Sequence, residues 1–210
     1  MTEKTILSYI KQLHRPIFTT SELSLLSGKS SSNVIQTLNY LQKQGLIYKI
    51  YRGIWAETDR DRLNVFTVIP FLFPQHRAYV SFVSALHYYG IIEQIPQVIT
   101  VASTAHTKTI RTKVATYSIH RIHPSFFKGF TWEKATKSFL IAEPEKALVD
   151  SFYLSAHKKK YFGYFPELHF PKSFSFRKAK FWIKDINSMK IRNYVQKRLK
   201  EIIDEQTKPR

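Results

Sequence analysis

Residues 19–56, TTSELSLLSGKSSSNVIQTLNYLQKQGLIYKIYRGIWA, leave few folds open. Thr19 and Glu22 stand three apart, the spacing of a capping box, and open a short helix through Leu23 and Leu26 that Gly28 closes. The run Lys29-Ser30-Ser31-Ser32-Asn33 then supplies hydroxyls for a second helix start. Val34, Leu38 and Leu41 follow at i, i+4 and i+7, one apolar helical face. Gly45 predicts a left-handed stop, and Leu46 falls where a Schellman motif returns an apolar contact to Leu41. Two short apolar runs, Leu46 to Ile50 and Ile54 to Ala56, flank Tyr51-Arg52-Gly53, a hairpin signal with glycine in the turn.

Helix, turn, helix and hairpin in this order describe a winged helix-turn-helix, whose second helix enters a major groove N-terminus first. With Val34, Leu38 and Leu41 turned inward, Ser31, Ser32, Asn33, Gln36, Thr37, Tyr40 and Lys43 fall outward, with Lys29 in the preceding turn. Their polar groups suit base edges and phosphates. Lys49, Tyr51 and Arg52 at the hairpin suit phosphate or minor-groove contact. A small helical domain that binds protein through the same polar face is the competing reading.

Charge favours nucleic acid. Lys plus Arg number 33 against 15 acids in 210 residues, a formal charge of +18, and the pI is about 10.0. Such an excess points to a polyanion: nucleic acid first, an anionic membrane surface second. Residues 1–60 carry 8 bases and 4 acids, 61–170 carry 13 and 7, and 171–210 carry 12 and 4. The excess is therefore densest in the tail. With 43% apolar residues the chain is globular rather than disordered. It has no cysteine, hence no disulfide and no thiolate metal site. No signal peptide or 18-residue apolar span is found, so a cytoplasmic protein is expected.

Ile6, Ile10 and Leu13 predict a helix over 2–13, stopped by Pro16. ETDRDR at 57–62 is a charged boundary, so the expected domains are 1–60, a winged helix-turn-helix, and 61–210, an α+β domain with a basic helical tail over 170–210. Leu63 to Phe73 reads as a connector helix. Beyond it we expect a helix from Ser81, as cap, to Tyr89, a buried strand over Gln97–Ser103 and a half-buried one over Lys113–Ile122. Phe126–Trp132 and Phe139–Ala142 read as short strands. Pro144 opens a helix with Glu143 and Glu145 at its positive end and Ala147, Leu148, Phe152 and Leu154 on its apolar face. The whole pattern is α+β rather than regular βαβ.

Taken together, the N-terminal winged-helix pattern, YVSFVSALHYYGIIEQIP (79–96), VITVAST (98–104), FKGF (127–130) and IAEPEKALVDSFYL (141–154) resemble the AbiEi family. These are antitoxins of type IV toxin–antitoxin systems, which belong to abortive infection, a phage defence. The resemblance implies a DNA-binding transcriptional autorepressor. It also implies that the protein counters a nucleotidyltransferase-type toxin, AbiEii, encoded beside it. In the family the winged helix binds promoter DNA and the C-terminal domain carries antitoxicity. The aromatic-rich segment YFGYFPELHFPKSFSF (161–176) matches no motif.

Catalytic readings fall away on inspection. Gly28-Lys29-Ser30 resembles the end of a phosphate-binding loop, but Leu23 stands where its first glycine is needed. His120 and His123 have no third ligand at metal spacing. Glu143, Glu145, Lys146 and Asp150 could suggest a nuclease cluster, but a helix cap and dipole account for such acids. We expect no enzyme, no cofactor, no metal, no membrane contact and no small-molecule substrate. The expected partners are the protein's own promoter duplex and the toxin. A winged-helix module that binds a partner protein directly, or a nucleic-acid-processing enzyme, are the alternatives.

In the tail, Ile191, Val195, Leu199 and Ile202 form an apolar stripe with Lys190, Lys197, Arg198 and Lys200 around it. With Lys158, Lys159 and Lys160 these bases form a candidate second basic surface, either toxin-facing or contacting DNA. An ordinary amphipathic helix docked on the body is the plainer reading.

Overall fold

The computed structural model describes residues 4–58, 63–157, 165 and 167–206. Two compact units divide the chain: Met1–Leu72 with Arg111–Ala115, and Phe73–Ile110 with Thr116–Arg210. The charged boundary expected at 57–62 lies mostly outside the described residues.

In the first unit the order is α1 (Ile6–Gln12), β1 (Ile17–Thr19), α2 (Thr20–Ser27), α3 (Ser31–Lys43), β2 (Ile47–Tyr51) and β3 (Ile54–Glu57). Thr5 caps α1 by accepting from the Ser8 amide at 3.2 Å. The helix is therefore shorter than the expected 2–13 and ends ahead of Pro16. Sequence reading missed β1, whose three residues cannot show a periodicity. It pairs antiparallel with β3, Phe18 opposite Trp55, and the sheet order is β1-β3-β2. Ile6, Ile10, Phe18, Leu23, Val34, Leu38, Leu41, Ile47 and Trp55 close one core over this sheet. The expected connector helix is instead a 3₁₀ turn, Val65–Val68, opened by Asn64, followed by the single turn α4 (Ile69–Leu72).

The second unit holds a mixed six-stranded sheet in the order β6-β7-β5-β4-β9-β8. The strands are β4 (Ala78–Val80), β5 (Ile99–Ser103), β6 (Lys108–Arg111), β7 (Thr116–Arg121), β8 (Phe130–Trp132) and β9 (Leu140–Ala142). β5 runs parallel to β7 and antiparallel to β4, while β9 runs parallel to β4 and antiparallel to β8. All five residues of β5 are buried, as its β-branched start, Ile99-Thr100-Val101, predicts. β4 and β6 were not foreseen. The strand expected over Phe126–Trp132 splits into a 3₁₀ turn, Pro124–Phe126, and β8, because Pro124 starts the turn and Gly129 takes φ +77° between them. β7 begins at Thr116 rather than Lys113, since Thr112–Ala115 closes a turn.

The helices are α5 (Phe82–Tyr88), α6 (Pro144–Ala156), α7 (Phe176–Ile183) and α8 (Met189–Gln206). α6 is central: it packs against α5, α7, α8 and β9, while α5 also lies on β5. The tail helices are thus docked on α6. Val195, Leu199 and Ile202 are buried and Ile191 half-buried. Ser81 does not cap α5 as expected; its hydroxyl goes elsewhere, as shown below.

Candidate nucleic-acid interface

α3 is set by its ends. Ser30 accepts from the Asn33 amide at 3.3 Å, and the Gly28 cap of α2 at φ +67° turns the chain into it. α2 carries the complete capping box: Thr19 Oγ1 accepts from the Glu22 amide at 3.2 Å and Glu22 Oε2 accepts from the Thr19 amide at 2.8 Å. Burial pushes the Glu22 carboxyl up, but the bonds from Arg15 and Thr19 outweigh it and hold it below its usual range. At the other end Gly45 sits at φ +73° and the Leu46 amide reaches the Leu41 carbonyl at 3.1 Å, the Schellman bond. Both helices are therefore held at their ends by bonds that are local in sequence.

Val34, Leu38 and Leu41 take the core side of α3, and Ser31, Ser32, Asn33, Gln36, Tyr40 and Lys43 are exposed. Thr37 is half-buried, and its hydroxyl donates to the Asn33 carbonyl at 3.1 Å, so this group is committed to its own helix. Lys29, in the turn before α3, is half-buried. Two residues absent from the sequence reading join this face. Asn39 is exposed at i+3 from Gln36, and Ile35 is 42% exposed. The inward triad already marked them, because 100° per residue leaves both on the outer arc. Ile35 brings a branched apolar group to an otherwise polar face, the kind of group that can meet a thymine methyl.

The hairpin places its cations unequally. Arg52 is exposed beside Gly53, which takes φ +70°. Lys49 is half-buried, its ammonium 5.3 Å from the Trp55 ring centroid. Tyr51 is half-buried at the strand end. Trp55 is itself fixed by donating Nε1–H to Thr20 Oγ1 at 3.1 Å, and the Thr20 amide donates to the Gly53 carbonyl at 2.9 Å. The hairpin turn is thus tied to the start of α2.

The candidate second surface is only partly described, since Lys158, Lys159 and Lys160 lie outside the described residues. On α8, Lys190, Lys197 and Lys200 are exposed. Arg198 differs: its Nη1 donates to Glu201 at 2.5 Å and its guanidinium lies 5.8 Å from the Phe152 ring centroid, so it helps seat α8 on α6.

The acids opening α6 do more than serve a cap and a dipole. Glu143 makes no side-chain cap bond. Glu145 accepts from the Ser175 amide at 2.9 Å, and Lys178 reaches Glu143 at 3.1 Å, so both acids anchor α7. Lys146 and Asp150 form a fully buried ion pair. Asp150 Oδ2 accepts from Ser81 Oγ at 2.7 Å and from the Tyr79 hydroxyl at 3.0 Å. Lys146 Nζ lies 3.7 Å from the Phe126 ring centroid. Gly129 makes room for it: a Cβ there would stand 2.9 Å from Lys146 Cγ. Burial drives the Lys146 pKa down and the Asp150 pKa up, each opposed by the other's charge. All four polar residues are buried, so the network fixes the core and has no open face for a substrate. His120 Nε2 lies 3.0 Å from Ser118 Oγ, and His123 Nδ1 accepts from the Ser125 amide at 3.3 Å. Among the described residues no three His, Cys, Asp or Glu side chains are grouped to hold a metal ion.

Residues 6–58 match a family described as "Transcriptional regulator, AbiEi antitoxin". The matched stretch runs from α1 through β3, the elements that position the exposed face of α3. No curated protein matches the chain. Among the described residues no helix is long and apolar enough to cross a membrane.

Proposed function

We propose, for a chain whose residues 6–58 belong to the AbiEi family of antitoxin transcriptional regulators, that the first unit is a winged helix-turn-helix repressing the protein's own promoter. The chain as a whole then counters a nucleotidyltransferase-type toxin encoded beside it. One observation carries the reading: α3 leaves a polar face exposed next to a basic hairpin, in a chain of net charge +18. In this reading Ser32, Asn33, Gln36 and Tyr40 read base edges, while Lys29, Ser31, Lys43, Lys49, Tyr51 and Arg52 position the unit on phosphates. Thr37 supports the helix and keeps Asn33 in place. Lys190, Lys197, Lys200 and the Lys158–Lys160 run supply the surface that opposes the toxin, either by shielding an anionic substrate or by masking an acidic toxin patch.

The test is a separation of roles in the full chain. Gel shifts on the promoter duplex at several salt concentrations should show affinity falling steeply with salt, through counterion release. Variants at Asn33, Gln36 and Arg52 that lose the promoter should still rescue growth when co-expressed with the toxin from an unrelated promoter. Equal affinity for unrelated duplexes would reduce the reading to general DNA binding. Failure of the parent chain to rescue growth would remove the antitoxin half. A specific observation favours a second reading, a protein-docking module: Leu25 of α2 is 85% exposed. Co-purification of a partner in the absence of DNA would support it.

A further inference from the structure

The hairpin ladder between β2 and β3 is irregular next to its turn. Lys49 pairs with Trp55 and Tyr51 with Ile54, so Ile50 is an extra residue in β2. A bulged residue loses its ladder partners, and β2 is also an edge of the three-stranded sheet. Ile50 as a whole residue is 1% exposed, so its carbonyl needs a donor from elsewhere in the fold. That donor is the Lys113 amide at 3.1 Å. Lys113 lies in Arg111–Ala115, which belongs to the same compact unit as the hairpin.

This second segment of the unit is a self-bonded turn. The Thr112 amide and hydroxyl both donate to the Ala115 carbonyl, at 3.0 and 2.8 Å. Thr112 Oγ1 accepts in return from the Val114 and Ala115 amides, at 3.2 and 3.1 Å. Lys113 is exposed on the turn, and Arg111, the last residue of β6, is exposed at its start. Of the hairpin's own two cations only Arg52 is fully exposed, because Lys49 is drawn toward Trp55. The docked turn therefore adds more exposed positive charge to this edge than the hairpin itself provides.

We propose that Arg111 and Lys113 contact the phosphate backbone of duplex DNA as part of the same interface as the hairpin, on a turn seated against the bulge at Ile50. The inference rests on the duplex-binding reading above. A guanidinium and an ammonium on a rigid turn serve as phosphate clamps, so they add affinity and salt dependence without sequence preference. Their seat depends on a main-chain bond, which side-chain truncation leaves in place.

The experiment uses the full chain carrying Arg111→Ala with Lys113→Ala. Binding is followed by fluorescence anisotropy on the promoter duplex and on a scrambled duplex of equal length, over a series of KCl concentrations. Losing two phosphate contacts should make the slope of log K against log salt shallower by about 2. The ratio of the two affinities should stay as in the parent. Arg111→Lys with Lys113→Arg keeps the charges and should keep the parent's slope. An unchanged slope in the alanine pair overturns the proposal while leaving duplex binding standing. A slope lost equally in the charge-keeping pair overturns it too, since charge would then not be the cause. A parent that binds neither duplex in a salt-dependent way removes the underlying reading, and this proposal with it.

Discussion

α3 and α6 are both 13 residues long, yet they spend their side chains in opposite ways. α3 buries three residues and leaves a polar face exposed. α6 buries ten in succession, Glu145 to Leu154, two of them the ion pair Lys146–Asp150. A helix at the edge of a small core has one apolar stripe to satisfy, and its other positions are open to a ligand. A helix surrounded on all sides must satisfy every polar group internally, so its charged residues belong to the fold. Polar side chains on the two helices therefore carry different information: on α3 they stay open to solvent, and on α6 they are consumed by packing.

The largest expected effect tests the α6 side of this contrast. Asp150→Ala leaves the Lys146 ammonium buried without its counter-charge, and should destabilise the protein by about 3–5 kcal/mol. Chemical denaturation followed by fluorescence would read it. Replacing both partners, Lys146→Met with Asp150→Leu, should recover much of the loss, because no orphan charge then remains. A double variant as unstable as the single would mean that the bonds to Tyr79 and Ser81 matter more than the charge.

On the α3 side the contrast predicts altered binding at intact stability. Gln36→Ala should weaken promoter binding by about 1–3 kcal/mol and relax sequence preference. Its unfolding free energy should stay within about 0.5 kcal/mol of the parent's. A clear loss of stability without a change in binding would place Gln36 with the α6 residues instead.

Smaller still is the cap that opens α2. Thr19→Ala removes the acceptor for the Glu22 amide and should cost about 1 kcal/mol of stability. DNA affinity should fall only as far as the helix pair loosens.

A further effect is read in acid. Glu133 accepts from the amides of Ala135 and Thr136 at 2.8 Å each and from the hydroxyls of Thr136 and Tyr88. These bonds hold its carboxyl down at about 2, from an ordinary 4.5. A depressed carboxyl stabilises the fold above its unfolded pKa, so this contribution is complete above about pH 4.5 and lost as pH falls toward 2. NMR titration should find the low value, and Glu133→Gln should flatten the acid limb of the stability curve across that window.

Much of the first unit was legible because its determinants are local. Thr19 with Glu22, the Ser30 cap, Gly28, Gly45 and the Val34–Leu38–Leu41 stripe each act within a few residues of themselves. They placed α2, α3 and the hairpin, and with them most of the exposed face. Thr37 and Lys49 could not be read this way. One spends its hydroxyl on its own helix, and the other lies against an indole that reaches it only when β2 meets β3.

The sequence by itself determined the helix-turn-helix pattern, the α+β class, the excess of positive charge and the resemblance to antitoxin regulators. All of these follow from short-range bonds, periodicity and composition. The tertiary structure decided the strands β1, β4 and β6, the burial of Lys146 with Asp150, and the seat of Lys113 on Ile50. Strands of three or four residues carry no period of their own, and buried charges look like surface charges until their partners converge. The partners concerned lie far apart in the chain: Tyr79 from Asp150, Gly129 from Lys146, Ile50 from Lys113. Only folding brings such residues within bonding distance, and the low dielectric of the interior then makes each pairing obligatory.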